Sequence, residues 1–358
     1  MKHIIGGNPN VSQPQVKTLT IDVDEAGQRL DNYLMRQLKG VPKTHIYRII
    51  RSGEVRLNKG RAAADTRIQA GDTVRLPPVR VSERAAEKAL EIAMAQSVSP
   101  RDGAYAPARD FELLFEDDWL LAINKPAGVA VHGGSGVSFG VIEQLRMARP
   151  GEKFLELVHR LDRETSGILL VAKKRSALKI LQDQFRERET GKTYLALVLG
   201  RWPSNRKVLD KPLHKYLLPD GERRVRVVAK DDPDGMPALT LVKVRATSDL
   251  PLPAGTNVRD LAPEFSLLEV TIKTGRTHQI RVHLASEGLP IAGDDKYGEF
   301  ERNKVLARAT EGVSLKRMFL HAWRLRYKHP ASGARMELQC ELPQELTRFL
   351  NQVVLHNI

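Results

Sequence analysis

Apolar positions recur along this chain with two periods, one helical and one strand-like, and the balance between them changes about a quarter of the way in. Leu30, Leu34 and Leu38 return every fourth residue and predict one face of a helix, which Gly40 and Pro42 end. A second helix is predicted over residues 43–51, with Ile46, Ile49 and Ile50 inward and Gly53 just past its end. Short strands follow at 55–57 and 73–76, the second entered through a Gly71-Asp72 turn. From residue 110 onward strand patterns dominate. Residues 111–115 and 120–123 predict two strands around a Glu-Asp-Asp turn, 168–172 an apolar strand, 192–199 another, and 267–272 an alternating one. Between them Leu178, Leu181 and Phe185 mark a helix. A further helix is predicted to open within residues 275–284, with Gly288 and Pro290 as stop signals.

The segments between these patterns set the expected organisation. Residues 1–16, rich in Asn, Gln, Pro and Gly, read as a disordered tail, and 17–81 as a compact basic domain. Residues 82–108 read as a linker whose first half is helix-compatible and whose second half holds Pro100, Gly103 and Pro107. The large domain is expected over 109–358. Within it residues 248–263, rich in Pro, Gly and Ala, are expected to form a long surface loop.

Charge sharpens this division. The 358 residues include 57 Lys and Arg against 43 Asp and Glu, a net charge of +14. Residues 28–80 alone hold twelve Lys and Arg against four Asp and Glu, more than half of the excess. Such density favours a polyanionic partner, most simply nucleic acid held through its phosphates. Few aromatics accompany these charges, so shape and backbone should be gripped rather than bases stacked. Cys340 is the only cysteine, which rules out an internal disulfide framework, a thiolate zinc site and a C-x-x-C redox pair. No apolar run is long enough to span a bilayer, and the polar N-terminus lacks a signal-peptide core. A soluble cytoplasmic protein without membrane contact is expected.

The chemistry centres on residues 158–171, Val-His-Arg-Leu-Asp-Arg-Glu-Thr-Ser-Gly-Ile-Leu-Leu-Val. An apolar approach enters a polar loop with Asp162 at its centre, and an apolar strand leaves it. Arg160 and Arg163 flank that carboxylate and should favour its ionised form. Thr165-Ser166-Gly167 supplies hydroxyls and a permissive backbone for a tight turn. An isolated H-R-L-D would most simply be a solvated turn, and a lone Tyr194 a core aromatic. Other chemistries lack their frames. Ser166 is not in G-x-S-x-G, Gly133-Gly134 is not followed by the Gly-Lys-Ser/Thr of a P-loop, and His278 and His283 do not have zinc-helix spacing. No metal and no organic cofactor are expected.

Taken together, the motifs resemble those of the RluA-type pseudouridine synthases. Asn124-Lys125-Pro126-Ala127-Gly128-Val129-Ala130-Val131-His132 is similar to the family's first motif, and residues 159–167 to H-R-L-D-x-x-T-S-G. Lys192-Thr193-Tyr194 is similar to K-x-Y, and residues 275–281, Gly-Arg-Thr-His-Gln-Ile-Arg, to the third motif. Arg29-Leu30-Asp31, the helix pair, Gly53 to Asn58 and Gly71-Asp72 resemble an S4-like RNA-binding module. The resemblance covers about residues 28–343. It implies an α+β fold, in which a mixed, largely antiparallel sheet with flanking helices follows the small S4-like domain.

The activity so implied is isomerisation of uridine to pseudouridine in RNA. Asp162 would be the nucleophile or otherwise start the reaction, Arg281 would pair with it, and Tyr194 would stack on the uracil. Arg160 would fill the space of the flipped base. Arg276, His278, Arg48 and Arg51 would contact RNA. Residues 37–43, 132–143 and 154–162 are most similar to family members acting on 23S RNA of the large ribosomal subunit, so that ribosomal RNA is the expected partner of a monomeric enzyme. Residues 293–298 and 320–322 are read as packing and loop-fixing elements. A pure RNA-binding assembly factor is disfavoured by the presence together of Asp162, Tyr194 and Arg281. A nucleotide hydrolase is disfavoured by the missing P-loop and metal spacing.

Overall fold

A computed structural model describes residues 16–22, 25–38, 41, 43–78, 106–133, 139–219, 221–249, 264–308, 314–353 and 356–357. The chain divides into two compact units, residues 1–105 and 106–358. All but the last residue of the expected tail and nearly all of the expected linker lie outside the described residues.

In the first unit, strand β1 (Lys17–Thr20) is followed by helices α1 (Leu30–Gln37) and α2 (Lys43–Arg51) and strands β2 (Arg56–Leu57) and β3 (Thr73–Leu76). The three strands form an antiparallel sheet in the order β1-β3-β2. Periodicity predicted both helices because their apolar positions are the core. Leu30 and Leu34 from α1 meet Ile46, Ile49 and Ile50 from α2, all buried, with Ile21, Ile68 and Val74 beneath. Each fully buried side chain of this kind contributes about 1.5–3 kcal/mol, which gives even so small a unit its own core. β1 was not foreseen. Its sequence Lys-Thr-Leu-Thr is an exposed edge with only Leu19 turned inward, too little apolar surface to signal a strand. Arg48 and Arg51 project from the solvent side of α2, opposite the isoleucines.

The second unit begins with β4 (Leu113–Glu116), β5 (Leu120–Lys125), α3 (Val141–Ala148), β6 (Glu156–Leu157), β7 (Ser166–Ala172), α4 (Arg175–Arg186) and β8 (Gly191–Leu199). It continues through β9 (Val208–Asp210), the hairpin β10 (Leu213–Leu217) and β11 (Arg223–Val227), β12 (Leu239–Asp249) and β13 (Glu264–Ile272). Helices α5 (Gln279–Ala285) and α6 (Phe300–Arg308), strands β14 (Leu320–Lys328) and β15 (Arg335–Gln339), helix α7 (Gln344–Gln352) and β16 (His356–Asn357) complete it. Eleven strands form one sheet whose main path runs β16-β12-β13-β8-β14-β7-β5-β4. Every pairing is antiparallel except β14 with β7. The expected mixed, largely antiparallel sheet is present.

Central strands β7 and β8 are apolar in continuous runs, as strands covered on both faces must be. The loop expected from residue 248 starts later, because Ser248 and Asp249 remain in β12, paired with Phe265 and Glu264. Its remainder, 250–263, lies outside the described residues.

The lone parallel pairing positions the site. Ala322 on β14 is in register with Gly167 of β7 on one side and with Tyr194 of β8 on the other. The end of the Asp162 loop and the entrance of the Tyr194 strand therefore stand two strand spacings apart, roughly 9–10 Å. Gly167 makes this possible. Its φ is 109°, and a Cβ there would come 2.3 Å from the Ala322 carbonyl oxygen. Only glycine takes that conformation without strain and admits so close a neighbouring backbone.

Candidate active site

Asp162 occupies the loop between β6 and β7, closed by a hydrogen bond from the Thr165 amide to the Asp162 carbonyl, 3.1 Å. The loop is held from three directions. On one side is the Asn-Lys-Pro turn after β5. The Gly128 amide donates to the Arg163 carbonyl at 2.9 Å, and Arg163 Nε returns a bond to the Gly128 carbonyl at 2.9 Å. Lys125, fully buried, donates from Nζ to the carbonyls of Arg163, Pro126 and Val129 at 3.0, 2.8 and 2.7 Å. Burial pushes its ammonium down to about 7, against the pull of Glu164 and Asp162.

Behind the loop, Arg317 Nη2 donates to Ser166 Oγ at 2.8 Å, and Ser166 lies 2.9 Å from His321 Nδ1. His321 Nε2 is 3.0 Å from the Cys340 carbonyl, which can only accept, so Nε2 carries the proton and Ser166 donates to Nδ1. Burial lowers this imidazole to about 4, which keeps it neutral. Upstream, the Leu170 amide donates to His159 Nε2 at 3.1 Å, and the ring stacks on Phe185 with centroids 4.7 Å apart. Burial lowers His159 to about 3. His159 thus braces the loop rather than titrating in it.

The groups expected to favour an ionised Asp162 are corrected by the geometry. Arg163 turns away to Gly128 and Glu164, and Arg160 is exposed at the cleft edge. The groups that approach Asp162 come instead from the β13–α5 turn and the first turn of α5. Arg281 Nη1 lies 3.9 Å and His278 Nε2 4.0 Å from the same oxygen, Oδ2. The expected Arg281–Asp162 pairing is therefore only a long contact. The principal partner of Arg281 is Asp294, which accepts from Nε at 2.7 Å and from Nη2 at 2.6 Å, with both side chains almost wholly buried. This two-pronged bond turns the remaining nitrogen of the fork toward Asp162.

α5 also begins later than expected, at Gln279 rather than near Gly275, because His278 adopts a left-handed conformation, φ 53° and ψ 20°. Buried Gln279 secures the turn. Its Oε1 accepts from Thr274 Oγ1 and the Arg276 amide, and its Nε2 donates to Thr240 Oγ1 and the Leu239 carbonyl.

Tyr297 completes the cluster. Its oxygen accepts from the Val225 amide at 3.1 Å, and its hydroxyl lies 2.7 Å from His278 Nδ1. Burial pushes the phenol up to about 12, so it is the donor to Nδ1. Burial also lowers His278, more than Asp162 raises it. The neutral ring accepting at Nδ1 carries its proton on Nε2, aimed at Asp162. The Arg281 guanidinium sits over the Tyr297 ring at 5.1 Å.

Asp294 and Tyr297 were read as packing residues. A signal was present nonetheless: an arginine on the buried face of a helix demands a carboxylate. The Gly293-Asp294-Asp295 turn, with Asp294 nine residues after the end of that helix, supplies one.

Asp162, Tyr194, Arg281, Arg160, Arg276 and His278 all line one cleft of about 470 Å³, a size suited to a small organic group. Tyr194 belongs to the wall beside Ala322. Burial, then the charge of Asp162, raises its hydroxyl well above the usual phenol range. Arg276 is tied by Nε to the Pro237 carbonyl at 3.1 Å. Arg48 and Arg51 belong to the other unit and are not part of this cleft. Among the described residues, His214, Asp232 and Asp234 form the only group with metal-ligand spacing, and none of them lines the cleft.

Comparison with known proteins follows the same division of the chain. Residues 119–286 match the RNA pseudouridylate synthase family model, and residues 28–74 match the S4 domain. Ribosomal large subunit pseudouridine synthase C of Salmonella typhimurium is 49% identical over 344 residues, covering 96% of this chain and 98% of that protein. Its namesake in Escherichia coli K12 is 48% identical over 340 residues, covering 95% and 97%. Among solved structures, human RNA pseudouridylate synthase domain containing 1 aligns with a TM-score of 0.55 at 25% identity, covering 70% of this chain and 90% of that one. Likeness running through both units and across the whole cleft reflects common descent, and the chain belongs to the RNA pseudouridylate synthase family.

Proposed function

We propose that this protein isomerises uridine to pseudouridine in the 23S RNA of the large ribosomal subunit, with Asp162 initiating the reaction. The observation that carries the reading is the convergence of Arg281 and His278 on one oxygen of Asp162 at the base of a cleft walled by Tyr194. The relatives' names point to the same ribosomal subunit.

The reaction breaks the bond between the ribose C1′ and uracil N1, turns the base, and joins C1′ to C5. The proton leaving C5 is balanced by one gained at N1, so no oxidant or water is consumed. Asp162 attacks C1′ or removes a sugar proton, and either route needs a carboxylate held in place without a tight ion pair that would quench it. Arg281 at long contact, itself anchored by Asp294, meets that requirement. Tyr194 lies under the uracil, and its protonated hydroxyl is placed for proton transfer. Chemistry on a base requires taking it out of the stack, and Arg160 at the exposed rim fills the vacated space. Arg276 steadies the strand, and His278 acts deeper, beside Asp162. Arg48 and Arg51 of the S4 domain hold phosphates of the RNA. The enzyme acts as a monomer, since one chain supplies all of these groups, and in the bacterial cytoplasm, where this RNA lies.

The test is release of tritium from C5 of labelled uridine in large-subunit RNA. Wild-type protein should release it, and mapping pseudouridines in RNA from a strain lacking the protein should name the sites. Asp162→Asn should fall to background while binding RNA as before. A well-folded Asp162→Asn protein turning over at near wild-type rate would overturn the assignment.

A further inference from the structure

We propose that Lys192 is an anion anchor that binds a phosphodiester of the RNA strand beside the target uridine, a subsite that rests on the reading of the cleft as a uridine-in-RNA site. Lys192 enters β8 two residues before Tyr194, so both side chains point into the cleft. Only 8% of the residue is exposed, its ammonium opening on the cleft, and among the described residues that ammonium forms no ion pair and no hydrogen bond. The ammonium sits over the Phe185 ring, 5.5 Å from its centroid. Other buried cations of this unit are provided for: Lys125 by three carbonyls and Arg281 by Asp294. A largely desolvated ammonium that only the cleft can reach, without such partners, is one that an anionic group entering the cleft can complete.

The surroundings specify an anion. Arg160, Arg186, Arg188, Arg276 and Arg281 line the same cleft, while among the described residues Asp162 is its one lining carboxylate. Desolvation, then the charge of Arg188, pulls Lys192 down to about 8, a site that gains from a nearby negative group. Gly275 adjoins the ammonium across the cleft, where even an added Cβ would stand 3.9 Å from Nζ, in ordinary contact, so the approach is not crowded. A compact ammonium suits a phosphate oxygen, and most contacts of proteins with nucleic acids fall on phosphates and sugars.

The test is a binding scan with the full-length protein and a synthetic stem-loop carrying the mapped uridine. Each phosphodiester within two nucleotides of that uridine is replaced in turn by a neutral methylphosphonate. Wild type should lose roughly 10- to 100-fold in affinity at one linkage, the scale of one charge-assisted contact. Lys192→Met should bind the unmodified RNA with that same loss, show no further loss at that linkage, and keep its sensitivity at the others. Because the free fold gives the ammonium no partner, Lys192→Met should melt at or above the wild-type temperature. A wild type indifferent to every flanking linkage overturns the proposal, as does a variant that keeps the full penalty at each. A variant that unfolds overturns it as well, since the charge would then be structural. Affinity is read separately from tritium release, so a wild type that binds with this pattern but forms no pseudouridine would count against the proposed reaction and not against the subsite.

Discussion

Asp294→Asn tests the central electrostatic arrangement of the site at a residue that does not line the cleft. The substitution keeps the shape and one acceptor but removes the charge that neutralises buried Arg281. Breaking a buried ion pair in this way costs about 3–5 kcal/mol. Part of that returns, because the guanidinium is free to move from 3.9 Å to direct contact with Asp162. Closing that gap to ~2.8 Å regains about 2 kcal/mol at an effective dielectric of ~20. The expected net loss is about 2 kcal/mol, or ~4–8 °C in melting temperature for a unit of this size.

The same movement shifts a reacting group by ~1 Å and ties up the carboxylate, which should lower turnover about 100-fold while RNA affinity stays unchanged. The sign with pH follows from the native state of Asp294. Burial alone would raise it, but hydrogen bonds and charge from Arg281 outweigh burial and hold it below the usual carboxylate range. Its contribution is therefore present above the unfolded value of ~3.9 and is lost as pH falls through the lower native value. The stability gap between wild type and variant should narrow on acidification. Melting curves over pH 3–8 and single-turnover tritium release check both parts. A variant within 1 °C and twofold of wild type at neutral pH would refute the anchoring role of Asp294.

Three further expectations follow from the geometry. Tyr194→Phe keeps the ring and removes a hydroxyl held protonated; RNA binding should persist while the rate falls by ~10² or more, and a near-normal rate would leave the ring as its whole contribution. Replacing Arg48 and Arg51 by alanine should weaken binding to all structured RNA and reduce the slope of log affinity against log salt by about 1.5, at ~0.7–0.9 per phosphate contact; an unchanged slope would mark both as solvated surface. Lys125→Met removes the donor to three loop carbonyls and should destabilise the protein at neutral pH. Its depressed native value means the unfolded chain binds more protons between about 7 and 10.5, so wild-type stability rises with pH across that window, and denaturant melts of the variant should show a flatter rise, with buried Lys192 supplying the remainder.

The limits of α2 match the sequence pattern residue for residue because Ile46, Ile49 and Ile50 repeat at helical spacing with glycine just beyond. The strands around residues 168–172 and 192–199 were equally plain, since a buried strand needs only an unbroken apolar run. Asp162, Tyr194 and Arg281 could be named as candidates because each sits in a short local motif, and the structure brings all three to one cleft. Partnership is another matter, for it depends on which strands adjoin. Ser166 meets His321 across 155 residues, and Gly167 meets Tyr194 only through Ala322 of the strand between them. No local pattern encodes a parallel pairing between β7 and β14. Flanking charges in the sequence pointed to Arg160 and Arg163 as the company of Asp162, whereas the left-handed turn at His278 brought Arg281 and His278 there instead. Periodicity and turn chemistry are short-range properties of the backbone and can be read in order along the chain. The electrostatics of a buried carboxylate or lysine depend on every element packed around it, and the tertiary structure alone assigned Arg281 to Asp294 and left Lys192, among the described residues, without an ion pair.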